Sequence, residues 1–454
     1  MFCMLVLSFT ACTPRTNDYT IGGIVSGLSG SGLTNSVVLQ NNGGDNLTVS
    51  TNGGFTFATK VSGCNGSTSA SGVSSTSCTY NVTVLTQPLG QTCTVTNGSG
   101  TATGNVTNVV VNCTSIITSP RYAYVANAGD GTLSQYTISS NGTLTAMTLA
   151  TVAAGTTPHS VTVDPSGKYV YVANSGSNNL SQYTIGTDGT LTAMATATVA
   201  AGTTPYSVTV DPSGKYVYVA NSGSNNVSQY TIGTGGALTA MTTATVAAGT
   251  TPYSVSVDPS GKYVYVANSG SNNLSQYTIG TGGALTAMTP ATIVAGTNPY
   301  SITVAVGTSG QEYAYVANAN STNTGTSSIS EYTVGSSGVL TALTTITAGT
   351  NPVSVTVDNS GQYIYVANYG SNNVSQYTIG SGGVLTAMAT ATVAAGTSPY
   401  SITIDPSSQY IYVANEGGYN VSQYIIGSGG ALTPIATATT VAAGTNPISI
   451  ITAQ

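Results

Sequence analysis

The sequence predicts an all-β protein: a seven-bladed β-propeller closed by its own C-terminal strand and preceded by a small β-sandwich. Three observations predict it. The phrase "YVAN" begins at Tyr124, Tyr171, Tyr218, Tyr265, Tyr315, Tyr365 and Tyr412, a spacing of 47 residues stretched to 50 on either side of Tyr315. Each period holds four strand-like runs separated by turn sequences, and four antiparallel strands at this period describe a propeller blade. The region opens at "RYAYVAN", a second strand with no first before it, and closes at "NPISIITAQ", a first strand with nothing after it. Together the two fragments complete a seventh blade. An open β-solenoid has no need of this split, whereas a closed ring protects its inner strand edges.

The chain starts "MFCMLVLSFTACTPRTND". The apolar run from Phe2 to Ala11 is too short to span a bilayer and reads as the h-region of a secretory signal over residues 1–17. "FTAC" resembles the lipobox of bacterial lipoproteins. That resemblance implies lipidation at Cys12, a membrane partner through the lipid anchor, and an extracytoplasmic place at the outer membrane or cell surface. A cleaved signal without lipid, giving a secreted protein, is the alternative. No Lys or Arg precedes the run; a start codon chosen too far downstream would explain their absence.

Residues 18–115 alternate apolar and polar residues in short runs ("YTIGGIVSGL", "SVVLQNN", "LTVSTNGGFTFAT", "TYNVTVLTQP") with turn signals about every ten residues, as in a small β-sandwich. This segment resembles the immunoglobulin-like modules that precede larger domains in bacterial surface proteins. It holds Cys64, Cys78, Cys93 and Cys113. Four cysteines in one small exported segment suggest two disulfides, with three connectivities open. The absence of a C-x-x-C spacing disfavours a metal site. Cys64–Cys78 would close the Gly/Ser-rich excursion between them, and Cys93–Cys113 would tie the successive runs "CTVTN" and "NVVVNC".

From residue 121 to 454 the turns carry their own chemistry. "DPSG" joins the first strand ("SVTVD") to the second ("KYVYVAN"), with Pro at its second position and Gly at its fourth. "GTDG" or "GTGG" joins the third ("LSQYTI") to the fourth ("LTAMATATV") as a Gly-rich hairpin turn. Charged residues are only 4% of the chain and its net charge is -6. With six Lys and Arg in all, none adjacent, nucleic acid is excluded as a partner. The regular Val, Ile and Tyr content does not fit disorder.

"PHSVTVDPSGKYVYVAN" followed by "NNLSQYTIGTDGTLT" resembles the bacterial seven-bladed propellers of the lactonase type and the related YVTN-repeat surface proteins. The resemblance covers 121–454 and implies the fold. Lactonase-type members open or close sugar and muconate lactones; YVTN-type members are surface or binding proteins. Lactonase-type chains tend to read Pro-Arg-His where this one has Thr157-Pro158-His159, so the arginine is absent.

Strand order places the "DPSGK" and "GTDG" turns on one face of the ring, the bottom, and the "VAAGTTP" and "NSGSNN" loops on the other, the top. Arg121, Lys168, Lys215 and Lys262 fall at the bottom. So do Asp164, Asp211, Asp258, Asp358 and Asp405, which begin turns where a carboxylate accepts backbone N–H bonds. Glu331, in place of a third-strand Gln, reads as a surface substitution. The top keeps three ionisable residues, Asp130, His159 and Glu416, on three consecutive blades. A histidine between two carboxylates would have a raised pKa and act as general acid or base, or help hold a hard cation such as Ca²⁺. No other cofactor and no metal site is called for. The alternative is drift, because Tyr206, Tyr253, Tyr300 and Tyr400 occupy the position of His159 in other blades.

These features favour an exported cell-surface propeller that binds a glycan or a surface protein on its top face. There Tyr206, Tyr253, Tyr300 and Tyr400, with the Asn- and Ser-rich loops, offer several copies of one weak site. The alternative is a lactonase-type hydrolase using His159, Asp130 and Glu416. Without Lys or Arg on the top face, a phosphorylated or carboxylated lactone lacks its partner, and a neutral lactone remains. The many N-x-S/T triplets read as Asn-rich turns.

Overall fold

Val, Ile, Thr and Tyr in two-residue alternation fit a pleated, half-buried surface, and every regular element of the described chain is a β-strand. The computed structural model describes residues 18–28, 36–62, 64, 78–88, 91–115, 121–320, 327–427, 429–435 and 439–454. The leader, with the lipidation site expected at Cys12, lies outside the described residues. The chain divides into two units, Met1–Thr118 and Ser119–Gln454.

The first unit is a sandwich of two four-stranded sheets. Its strands are β1 (Ile21–Ser26), β2 (Val37–Asn41), β3 (Asp45–Val49), β4 (Gly53–Thr56), β5 (Thr79–Thr86), β6 (Gln91–Thr96), β7 (Ser99–Thr101) and β8 (Val106–Ser115). One sheet runs β4-β1-β8-β6 and the other β3-β2-β5-β7. Ile21, Val37, Leu39, Phe57, Val109 and Val111 form the centre of the core. Both expected disulfides are present, Cys64–Cys78 and Cys93–Cys113. The second joins residues directly opposite each other on β6 and β8.

The second unit is a ring of seven sheets, six of them with their strands in sequence order from the centre outward. Blade two shows the plan: Pro158–Val163, Tyr169–Asn174, Asn179–Ile185 and Leu191–Ala200. Blade one takes its innermost strand, Pro447–Ala453, from the C-terminus and the next three from residues 121–153. Ile450 lies opposite Val125 in that closing pair. The last blade's outer strand comes in two pieces, Leu432–Pro434 and Thr440–Ala442.

Neighbouring blades are bonded through side chains, position by position. The hydroxyl of the first-strand serine accepts the backbone N–H of the next blade's first strand: Ser449 from Val161, Ser160 from Val208, Ser207 from Val255, Ser254 from Ile302, Ser301 from Val355, Ser354 from Ile402 and Ser401 from Ile450, at 3.1–3.3 Å. The circle has no gap. The buried "YVAN" tyrosine donates its hydroxyl to a bottom-turn glycine carbonyl one blade onward, as Tyr124 does to Gly189 and Tyr412 to Gly142, both at 2.7 Å. The third-strand tyrosine donates backward, as Tyr183 does to Ala153 at 2.6 Å and Tyr136 to Ala442 at 2.7 Å. At about 1 kcal/mol net for each hydrogen bond, these bonds knit blades whose sheets share no strand.

A third tyrosine, at the start of each second strand, lies over the next blade's bottom turn. Tyr169 covers Gly236, whose φ is +83° and where a Cβ would stand 2.3 Å from the ring. Glycine is required there on both counts. The bottom aspartates do what the sequence predicts: Asp164 accepts the Lys168 and Tyr169 amides at 2.8 and 2.7 Å and that of Ser166 at 3.0 Å. Arg121 and Asp405 form the one ion pair among the described residues, at the seam between the last and first blades. Arg121 also donates to the Ser139 carbonyl at 2.8 Å.

Gly236→Ala is expected to destabilise the propeller by about 2 kcal/mol or more, through ring overlap and left-handed backbone strain. Gly235→Ala, one residue away with nothing within 4 Å of its Cβ position, should cost less than about 1 kcal/mol. Denaturant melts of the two variants make the comparison, and equal losses would contradict this reading of the turn.

Candidate functional site

The first strand of each blade begins with a bulge: Pro158 pairs with Asn174 and Ser160 with Ala173, leaving His159 as the extra residue. The same shift recurs between Pro205 and Ser207, Pro252 and Ser254, Pro299 and Ser301, Pro352 and Ser354, Pro399 and Ser401, and Pro447 and Ser449. A bulge re-aims the unpaired side chain. Here it sets seven of them around the top mouth of the ring: His159, Tyr206, Tyr253, Tyr300, Val353, Tyr400 and Ile448.

The aromatic members touch. The His159 ring stacks on Tyr206 with centroids 4.2 Å apart, Tyr206 lies 4.5 Å from Tyr253, and Tyr253 lies 4.1 Å from Tyr300. His159 also meets Tyr253 and Tyr400 edge-on at 6.2 and 5.9 Å. The four tyrosines therefore make one continuous aromatic surface. They are not the separate copies of a weak site that the repeats suggest.

The asparagines of the top loops are largely engaged within the protein. Asn174 is fully buried; it accepts the Gly155 amide at 3.1 Å and donates to Asn179 and Ser181 at 2.8 and 2.9 Å. Asn178 accepts the Thr204 amide of the next blade at 2.7 Å. Much of the amide chemistry that would attract a sugar to the loops is spent on holding them in place.

His159 Nδ1 lies 2.9 Å from the Tyr206 carbonyl, and Nε2 lies 3.4 Å from the Tyr400 hydroxyl. The carbonyl only accepts, so Nδ1 carries the proton and Nε2 presents its lone pair to Tyr400. The raised pKa expected for a histidine between carboxylates is not what this setting produces. Desolvation among the rings lowers the His159 pKa to about 4, against the partial opposition of the Tyr206 carbonyl. His159 is a neutral imidazole at pH 7.

Glu416 and Asp130 have different neighbours. Asp130 is exposed and accepts the Thr445 amide at 2.5 Å, which lowers its pKa. Ser177, Ser224, Ser271 and Ser371 accept the equivalent amides of Thr156, Thr203, Thr250 and Thr350. Asp130 thus fills a loop-bracing place that serine fills elsewhere. Glu416 is half-buried and accepts Asn446 Nδ2 at 3.3 Å. Burial, then the nearby Tyr300 and Glu416, push the Tyr400 hydroxyl well above its ordinary value. Among the described residues no hydrogen bond or ion pair joins either carboxylate to His159, and no three His, Cys, Asp or Glu converge on a metal position.

One residue of this sector was not singled out from the sequence. Tyr369 stands edge-on to Tyr400 at 6.1 Å. Its own pKa is raised, chiefly by burial and then by the Glu416 carboxylate beside it, while Ser398 works the other way. The signal was available: Tyr369 and Glu416 hold the residue after "YVAN", where three other blades have Ser175, Ser222 and Ser269. Glu416 stood out by its charge; Tyr369 was hidden among 29 tyrosines. The small Val353 and Ile448 flank Tyr400 in ring order. The mouth is therefore uniform and aromatic over blades three to five, and differentiated from six round to two.

A family model described as lactonase, 7-bladed β-propeller, matches residues 73–205, 190–297 and 280–447. Among solved structures, a Bacteroides fragilis protein described as a candidate 6-phosphogluconolactonase superposes with a TM-score of 0.64 at 20% identity, over 75% of this chain and 100% of that one. The periplasmic gluconolactonase of Pseudomonas aeruginosa gives 0.62 at 17%, over 74% and 99%. A Lactobacillus plantarum protein gives 0.63 at 20%, over 74% and 99%. At these identities the likeness is one of fold. No curated protein matches the sequence.

His159 is the only histidine, so its ring resonances in an NMR titration are assigned at once. The midpoint should fall near 4 rather than the ordinary 6.5. Between those values the unfolded chain binds a proton that the folded chain refuses, so this residue makes stability fall as pH drops through that window. His159→Tyr should remove that part of the acid sensitivity. A midpoint at or above 6.5 would contradict the assignment.

Proposed function

This chain belongs to the lactonase family of seven-bladed β-propellers, and from that membership we propose that it hydrolyses a neutral sugar lactone at the top mouth of its ring, outside the cytoplasm. The sequence alone ranked glycan or protein binding first and lactone chemistry second. Family membership favours the second. So does the geometry, because the repeated tyrosines share one mouth and the loop amides are engaged. The observation that carries the reading is the grouping of Glu416, Tyr369, Tyr400 and His159 in one sector beside the aromatic surface.

In this reading a sugar ring lies against Tyr206, Tyr253 and Tyr300, where C–H faces stack on aromatic rings. Glu416, oriented by Asn446 and Tyr369, accepts a proton from a water as that water adds to the lactone carbonyl carbon. The Tyr400 hydroxyl, whose single proton rests on His159 Nε2 in the free protein, leaves that bond and turns the proton toward the carbonyl oxygen as negative charge develops there. The tetrahedral adduct then collapses, the ring C–O bond breaks, and Glu416 returns the proton to the leaving ring oxygen. The product is the open hydroxy acid. His159, neutral at working pH, positions Tyr400 rather than carrying charge.

Substrate charge follows from what the top face lacks. The four Lys and Arg residues of 121–454 all lie on the bottom face, and Arg121 is already paired with Asp405. A phosphate or carboxylate on the substrate would meet Glu416 and phenols with no cation to offset it. The periplasmic gluconolactonase neighbour makes an unphosphorylated aldonolactone the natural first substrate. The two disulfides support an oxidising compartment. Attachment through a lipid on Cys12 is part of the same proposal.

Hydrolysis of glucono-1,5-lactone, followed by acid release above the buffer rate, tests the reading. Glu416→Gln should lower kcat by about 10²-fold with little change in KM, and Tyr369→Phe by a smaller factor. The 6-phosphorylated lactone should be the poorer substrate. A wild-type chain no faster than buffer, or Glu416→Gln as active as wild type, would sink the proposal.

A further inference from the structure

The third strand of six blades carries a fully buried glutamine: Gln135, Gln182, Gln229, Gln276, Gln376 and Gln423. Each accepts, through Oε1, the amide of the leucine that opens the next blade's fourth strand, at 2.6–2.7 Å. Five of them donate through Nε2 to a carbonyl fourteen residues on, as Gln182 does to Thr196 and Gln229 to Thr243, both at 2.9 Å. The position demands a group that both accepts and donates.

Blade five has Glu331 there. It is 1% exposed, so its place is in the core rather than on the surface as the sequence suggested. Both carboxyl oxygens are buried, and although the Leu385 amide lies close enough to act on the carboxyl, neither oxygen completes a hydrogen bond of normal geometry. The repeat sets the Leu385 amide and the Thr345 carbonyl around it. A carboxylate accepts only; it has nothing to offer the carbonyl, and no cation among the described residues faces it. Tyr315 lies directly across the strand pair and Tyr377 packs from the next blade. Burial first, and Glu331 among the further causes, raises the pKa of both phenols, so neither is ionised near pH 7.

We propose that Glu331 is a pH-responsive latch on the seam between blades five and six. As a carboxylic acid it reproduces the glutamine's pair of bonds, its O–H to the Thr345 carbonyl and its C=O from the Leu385 amide. As a carboxylate it leaves a buried charge unpaired and loosens the seam that joins the blades carrying Tyr300 and Val353 at the mouth. Desolvation, only partly opposed by the Leu385 amide, raises its pKa from 4.5 to about 7. The folded protein holds a proton that the unfolded chain has released. The stability it contributes is complete below about 4.5 and is lost as pH rises through about 7.

The test compares the full chain with Glu331→Gln, which restores the residue of the other six blades and so should fold. Melting is followed by near-ultraviolet circular dichroism of tyrosine between pH 5 and 8. His159 contributes equally to both proteins and cancels in the difference. The two should melt together at pH 5, and the variant should melt roughly 4 °C higher at pH 8. A protonated-carboxyl infrared band present at pH 6 and missing from Glu331→Gln provides a second readout. Melting profiles that stay parallel from pH 5 to 8, or the absence of that band from the wild type, would overturn the proposal.

Discussion

Closure of the ring is the constraint on which the rest of this structure depends. Every blade leaves the same groups unsatisfied on its two faces, and only an identical neighbour satisfies them. The serine circle at the centre makes this concrete, since each hydroxyl accepts an amide from the following blade and the seventh returns to the first. The tyrosines bond in both directions round the same ring, forward from the second strand and backward from the third. A blade missing from this circle would leave buried phenols and amides without partners, each costing about 1–3 kcal/mol. The repetition of the sequence is the chemical image of that requirement. It also explains how a propeller domain with so few charges holds together: neutral hydroxyls, amides and carbonyls carry the contacts between blades, and the one ion pair among the described residues reinforces the seam between the last blade and the first.

The proposed site, by contrast, lies where the repeat is broken. Glu416 and Tyr369 replace serine, His159 replaces tyrosine, and Val353 and Ile448 replace aromatic rings, all around one arc of the mouth. The bulge before each first-strand serine converts a sequence position into a place on that mouth, so residues 200 or more apart in the chain meet at van der Waals distance, as His159 and Tyr400 do. Low overall charge then has a chemical consequence. The mouth carries a carboxylate, phenols and a neutral imidazole but no cation, a set suited to an uncharged, hydroxyl-rich ester and unsuited to an anionic one.

The fold was legible in the sequence because it is periodic: the "YVAN" spacing, the split blade and the Asp-led turns all describe local geometry. Both cystine pairs were readable for the same reason, since each joins runs close in sequence. What the sequence hid was mostly a matter of direction and surroundings. A mouth residue and a core residue look alike in a two-residue alternation until a bulge shifts the register, as at His159. The sign of its pKa shift depended on whether carboxylates or aromatic rings enclosed it, and the rings won. The charge of Glu331 points to solvent, whereas six glutamines at the same repeat position carry the contrary signal, and the residue lies in the core. Asp130, with the same charge as Glu416 and on the same face, turned out to brace a loop as a serine does.

Ligand chemistry is proposed at one arc of the mouth, and the single histidine is a built-in reporter of it. The measurement is the shift of the His159 Hε1 resonance as glucono-1,5-lactone, or the stable lactam of the same ring, is added to the whole protein. A saturable shift is expected, weakened by Glu416→Gln and not produced by the phosphorylated analogue. An unmoved His159 signal in a protein that nevertheless binds or turns over the lactone would place the chemistry elsewhere and contradict the proposal.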